Sequence, residues 1–190
     1  MNSKYTDSPH IRVGNAPVSF GIFEPEFGET KQLPWDLVLD SIVQAGYEGV
    51  ELGPYGYLPI EPAKLAFELR QRNLILGSSF VPIPMASTNA LSDSIEKVLR
   101  VAQLLRSQGV QEVILADTGS EERLALAGSC PKGWNHAEWN SVADNLRAVS
   151  DRVWNDLGLK TVIHHHAGSY LETPEEILRL LEVTDPEKIN

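Results

Sequence analysis

Thr161-Val162-Ile163-His164-His165-His166-Ala167-Gly168 places three imidazoles directly after an apolar run, and Thr173-Pro174-Glu175-Glu176 opens a helix soon after. Strand, polar tip, loop and helix make one βα unit. Side chains alternate along a strand, so His164 and His166 share one face while His165 points to the other. Two neutral imidazoles on one face can begin a metal site, but a complete site takes three or four ligands, so the others must come from elsewhere. The competing reading is a solvated loop of histidines.

Working outward from that unit, the chain alternates short apolar strands with amphipathic helices. The first strand is expected over Ile11–Phe20, followed by a helix from Trp35 to Ala45 that carries Leu39, Ile42 and Val43 and stops at Gly46. Next come the strand Gly49-Val50-Glu51-Leu52, a helix begun by Pro62 with Leu65, Ala66 and Leu69 inward, and a strand over Leu74–Phe80. The spacing of Ile95, Val98, Leu99, Ala102 and Leu105 predicts a helix over Asp93–Gln108, which leads through Gly109 into the strand Glu112–Ala116. Asn135 then caps a long helix to Leu157.

Five βα units with nearly continuous apolar strands describe a parallel sheet covered by helices on both faces. A doubly wound sheet and a β/α barrel both fit. The first crossover lacks a Gly-x-Gly-x-x-Gly turn, which disfavours the dinucleotide-binding open sheet. The barrel is preferred because Glu51, Asp117 and the histidine run all fall at carboxyl ends of strands, where barrels keep their chemistry.

At 190 residues and 42% hydrophobic content, the chain is long enough to bury one core, and no linker or charge block divides it. Residues 1–190 are read as one partial barrel domain. A formal net charge of -10, with no basic stripe, argues against nucleic acid as a partner. One cysteine, Cys130, and no apolar leader make secretion, an internal disulfide and membrane spanning poor expectations, so the expected location is cytoplasmic. Cys130 lies in a Gly/Ser-rich loop beside Pro131 with no activating base in sight, a weak setting for a nucleophile.

Three residues outside the histidine run are candidates for the site. Glu51, before Gly53-Pro54, can accept hydrogen bonds from substrate hydroxyls or act as a base, or it can be a solvated acid. Asp117, before Thr118-Gly119, can orient a substrate group or can satisfy its own loop as an Asx turn. The segment from Thr118 to Trp134 is long for a connection and suits a lid; Trp134 can close over a sugar ring or simply pin the loop to the core.

The segment from Val162 through His164-His165-His166-Ala167-Gly168 to Thr173-Pro174-Glu175-Glu176-Ile177, continuing to Thr184-Asp185-Pro186-Glu187, resembles the inosose dehydratase group of the xylose-isomerase-like TIM barrels. Asn15-Ala16-Pro17-Val18-Ser19-Phe20 and Ala45-Gly46-Tyr47-Glu48-Gly49-Val50-Glu51-Leu52-Gly53 support it, the latter being common across the superfamily. Phe20 departs from the tryptophan usual in the dehydratases, and Gly77-Ser78-Ser79-Phe80 departs from their aromatic-rich third strand.

The resemblance implies an α/β chain of the (β/α)8 type and a divalent metal, Mn2+ or Co2+, with one ligand from the fifth strand and the rest from the sixth to eighth. His164 then stands at the metal-ligand position and His166 beside it as a ligand neighbour or substrate contact, a catalytic candidate here; the strand-end and loop reading adds Glu51 as a catalytic candidate and Asp117 and Trp134 as substrate contacts. The implied reaction removes a proton beside the ketone of a keto-inositol or sugar and expels a neighbouring hydroxyl as water. An isomerase or epimerase using an enediolate and a non-catalytic barrel fragment remain the alternatives; a superfamily endonuclease fits the acidic charge poorly. A full barrel takes about 250 residues, and only five strands are read before Asn190. The remaining ligands are therefore expected beyond residue 190, and the isolated chain is expected to be an impaired catalyst or none. A homo-oligomer stays open.

Overall fold

The computed structural model describes residues 11–28, 31, 33–129 and 132–189, so Cys130 lies outside the described residues. The elements are β1 (Gly14–Asn15), α1 (Trp35–Gln44), β2 (Gly49–Val50), α2 (Pro62–Gln71), β3 (Ile75–Leu76), β4 (Phe80–Ile83), α3 (Leu91–Ser107), β5 (Glu112–Asp117), α4 (Glu121–Ala125), α5 (His136–Leu157), β6 (Lys160–His164) and α6 (Pro174–Val183).

Every pairing between these strands is parallel, in ladders β1-β2-β3 and β4-β5-β6. β3 and β4 are successive stretches of one segment that joins the two ladders. Gly77 N–H donates to Val50 O at 2.8 Å and Leu52 N–H to Ser78 O at 2.9 Å, whereas Ile114 N–H donates to Ser79 O on the other side at 3.1 Å. The continuous strand expected over Leu74–Phe80 is thus interrupted at two buried serines, whose hydroxyls donate to Glu112 O and Gly53 O, and it runs on to Ile83. Beyond α6 the chain returns to the sheet, where Ile189 bridges Thr161 in parallel.

The strand expected over Ile11–Phe20 is a correction: its ladder ends at Asn15, and Pro17–Phe20 forms a 3-10 turn. Proline fixes φ and has no N–H to give to a ladder. Asn15 Oδ1 turns the chain by accepting from Ala16 N–H and the Ser19 hydroxyl, and Gly21 closes the turn with φ of 80°. α3 begins at Leu91, two residues before the start that Asp93 suggested. The stretch read as a lid loop contains the short helix α4, capped by Ser120.

α5 and α6 start where their caps dictate. Asn135 with Glu138, and Thr173 with Glu176, form reciprocal capping boxes on α5 and α6, and Gly158 ends α5 in the left-handed region. Leu39, Leu65, Val98, Leu105 and Leu146 bury one stripe of each long helix in a core that also takes in Val50, Val113 and Leu115 of the strands. Each such side chain contributes about 1.5–3 kcal/mol through burial. Among the described residues no helix is long and apolar enough to cross a membrane.

Candidate active site

The carboxyl ends of the strands gather the candidate residues at one mouth. His164 closes β6, paired with Ala116 of β5, and the turn His166–Ser169 is tied by Ser169 N–H and the Ser169 hydroxyl, both donating to His166 O at 3.0 and 2.8 Å. The His164 ring meets Phe80 edge-on at 5.5 Å and stands 5.8 Å from the His166 ring. Burial, then His166 and His165, hold the His164 imidazole below its ordinary range. It is therefore neutral at pH 7 with a lone pair to offer. His166 Nδ1 lies 2.7 Å from Ala167 O. A carbonyl can only accept, so Nδ1 is the protonated nitrogen that donates to it. His165 stacks beside His164 and is exposed.

Glu51 follows β2, half-buried, and burial pushes its carboxyl up. Its side chain makes no hydrogen bond among the described residues, the state expected of a base awaiting a proton. Asp117 ends β5, buried, and its oxygens are occupied: Oδ1 accepts Met85 N–H at 3.2 Å, and Oδ2 accepts Gly119 N–H at 2.8 Å and Tyr170 N–H at 3.3 Å. The Asx-turn reading describes this geometry, widened into a joint between the connections after β4, β5 and β6. Burial raises the Asp117 carboxyl despite those three donors.

Trp134 is buried too, stacked on Tyr170 at 5.1 Å and edge-on to Trp139 at 5.0 Å. That is the pinning role. Trp134 and Asp117 nevertheless form part of the wall of an open groove of about 270 Å³, with Ser87, Thr118, Glu138 and Tyr170. A second cavity of about 80 Å³ lies between α5 and α6, on the helical layer.

Sequence reading missed the groups that hold the tip in place. Arg123, 1% exposed, donates through Nε to Ser169 O at 2.7 Å and through Nη2 to both Glu176 oxygens at 3.0 Å, and its guanidinium sits 5.0 Å from the Tyr170 ring. Glu172 accepts Gly168 N–H at 2.9 Å and the Gly128 N–H. It also missed the β1–α1 connection, which folds across the mouth: Phe27 stacks on His166 at 6.4 Å and lies 5.8 Å from Phe80. The only sequence signal for these contacts was the polar content of connections already placed at strand ends.

Among the described residues no group of three or more His, Cys, Asp or Glu side chains is arranged to hold a metal ion. The donors present, the neutral His164 imidazole with His166 beside it, fit part of a divalent-ion ligand set.

No family model matches the chain. By structure it is similar to a xylose isomerase-like TIM barrel protein from Mycobacterium smegmatis in complex with magnesium (TM-score 0.66, 15% identity, 94% of this chain and 62% of that one). The fold is that of the xylose isomerase-like TIM barrels, present in part. A second such barrel, the probable 3-DHS dehydratase of petrobactin synthesis from Bacillus anthracis, superposes with a TM-score of 0.66 at 13% identity over 95% of this chain and 61% of that one. By sequence the chain resembles inosose dehydratase from Geobacillus kaustophilus, with 28% identity over 184 residues, which is 95% of this chain. The chain spans 58% of that relative's length.

Proposed function

We propose that this chain carries the first five strand ends of a divalent-metal-dependent dehydratase acting on a keto-inositol. The observation that supports the reading most directly is the likeness to inosose dehydratase over 95% of the chain, with the paired strand-end imidazoles inside the matched region. A bound divalent ion, Mn2+ or Co2+ in this reading, supplies Lewis-acid polarisation of the ketone, and His164 is the residue of this chain that holds it.

The other roles belong to side chains. Glu51, desolvated and unpartnered, takes the proton from the carbon beside the ketone. The C–H electron pair passes into the enolate, which re-forms the carbonyl as the neighbouring hydroxyl departs with a proton as water. His166 Nε2 accepts a hydrogen bond from a substrate hydroxyl and orients the ring, its tautomer fixed by Ala167 O. Asp117, Arg123 and Glu172 keep the tip rigid, and the groove walled by Trp134 and Tyr170 receives the outer hydroxyls. A cytoplasmic location goes with a small keto-polyol substrate.

The test is product analysis with the full-length protein proposed to carry this chain, on keto-inositol in D2O with Mn2+ or Co2+ added. Formation of an unsaturated or diketone product supports the dehydratase. Deuterium incorporation or epimerisation without water loss overturns it in favour of an isomerase, a reading the comparisons do not favour.

A further inference from the structure

The β1–α1 connection is fastened over the mouth. Lys97, in the second turn of α3, donates to Pro82 O on β4 at 2.9 Å and pairs with Glu26, so the short turn Pro25–Phe27 is tied to the strand end. That tie presents Phe27 to His166 and Phe80. Immediately before the turn stands Glu24, half-buried, whose carboxyl makes no hydrogen bond or ion pair among the described residues. A half-buried carboxyl with no hydrogen-bond donor is costly to keep unless it has work to do.

From this placement we propose that Glu24 is a second proton-transferring residue of the site, the acid that protonates the departing hydroxyl, with Lys97 as the positioning residue that holds its loop. The inference rests on the dehydratase reading above. Glu51 takes the proton from carbon, the C–H electron pair enters the enolate, and the enolate collapses to expel the hydroxyl. Glu24 delivers its proton to that oxygen, so water leaves and Glu24 is left as carboxylate. The proton on Glu51 returns to Glu24 through solvent, and the balance is the loss of one water from the substrate. Burial supports the role, pushing the Glu24 carboxyl up to about 7, with Lys97 opposing and Glu26 reinforcing. An acid in that range is protonated in about half the molecules at neutral pH and gives its proton readily. The charged groups that act on it are Lys97 from α3 and Glu26 on its own turn, while the His166 ring stacks on Phe27 of the same turn. One acid and one base at separate strand ends divide the two proton movements that dehydration needs.

The experiment compares the full-length dehydratase proposed to carry this chain, as the parent, with its Glu24→Gln and Glu24→Asp variants on keto-inositol in D2O with added Mn2+, following deuterium entry at carbon and water loss separately. Circular dichroism and urea unfolding of each variant establish that the fold is kept. The expected result is that Glu24→Gln loses dehydration at least 100-fold yet exchanges the carbon-bound hydrogen, that Glu24→Asp recovers part of the loss, and that the limb near pH 7 in the parent's rate profile disappears in Glu24→Gln. A parent that dehydrates, with a Glu24→Gln variant that dehydrates as fast, overturns the proposal alone. Equal loss of exchange and dehydration in both variants also overturns it, because it makes Glu24 the base or a structural group. A parent that neither exchanges nor dehydrates overturns the functional reading, and the proposal with it.

Discussion

Arg123→Met tests the claim that the histidine tip is held by a buried clamp. The substitution removes the bond to Ser169 O, the charged contact with both Glu176 oxygens and the cation beside Tyr170, at a site where Arg123 is 1% exposed. Breaking a buried pair by deleting one partner costs about 3–5 kcal/mol, because the other charge is stranded. Glu176 here still accepts the Glu172 and Thr173 N–H groups at 2.9 and 3.0 Å, so the lower end, about 3 kcal/mol, is expected. With a urea slope of about 2 kcal/mol per molar, the unfolding midpoint falls by about 1.5 M. Near-UV circular dichroism of the folded variant also weakens, since Trp134 stacks on the Tyr170 ring that Arg123 flanks. Glu176→Gln alone strands the guanidinium and costs a similar amount, whereas the double variant costs less than the sum by about 1–3 kcal/mol. A loss under about 1 kcal/mol for Arg123→Met, or strict additivity with Glu176→Gln, refutes the clamp.

Gly119→Ala places a methyl 2.7 Å from Gly168 O at a residue with φ of 66°, so strain and the close approach of two strand-end connections both oppose it; a loss of about 2 kcal/mol or more in urea unfolding is expected, and a neutral result contradicts the geometry. His164→Ala is expected to weaken Mn2+ binding, read by calorimetry, at least tenfold; unchanged affinity removes His164 from the ligand set. Stability should fall as pH rises from about 5 to 8. Glu24, whose carboxyl is raised by burial from 4.5 to about 7, contributes stability that is fully present below 4.5 and lost as pH passes 7. That interval is worth about 3 kcal/mol, reduced to about 1–2 kcal/mol by solvent screening at a partly exposed group. Asp117 and Glu51, also raised by burial, act in the same direction, and urea unfolding of Glu24→Gln should show a flatter slope across that range than the parent.

The fold was legible where periodicity and caps agree. Asn135 and Thr173 announce α5 and α6 three residues before their partner glutamates, and the apolar run before His164 marks β6. The first strand was not, because Ile11 through Phe20 looks continuous until Pro17 is weighed as a residue without a donor. The interruption at Ser78 and Ser79 depends on where two neighbouring strands offer carbonyls, which no local pattern encodes. The same limit governs the site. His164 and Glu51 were visible as polar residues ending apolar runs, but Arg123 with Glu176, 53 residues apart, and Phe27 with His166 meet only after the sheet has closed. Asp117 was visible as a residue and ambiguous as a role; three backbone donors on its two oxygens mark it as the joint between connections.

The most direct test is the metal dependence of water loss: the full-length dehydratase proposed to carry this chain, stripped with chelator and then supplied with Mn2+ or Co2+, is incubated with keto-inositol and the product read by NMR. The account predicts an unsaturated or diketone product that forms with metal, stops on chelation and is lost in His164→Ala. Dehydration that persists unchanged without metal, or metal-bound full-length protein that exchanges hydrogen and never releases water, contradicts it.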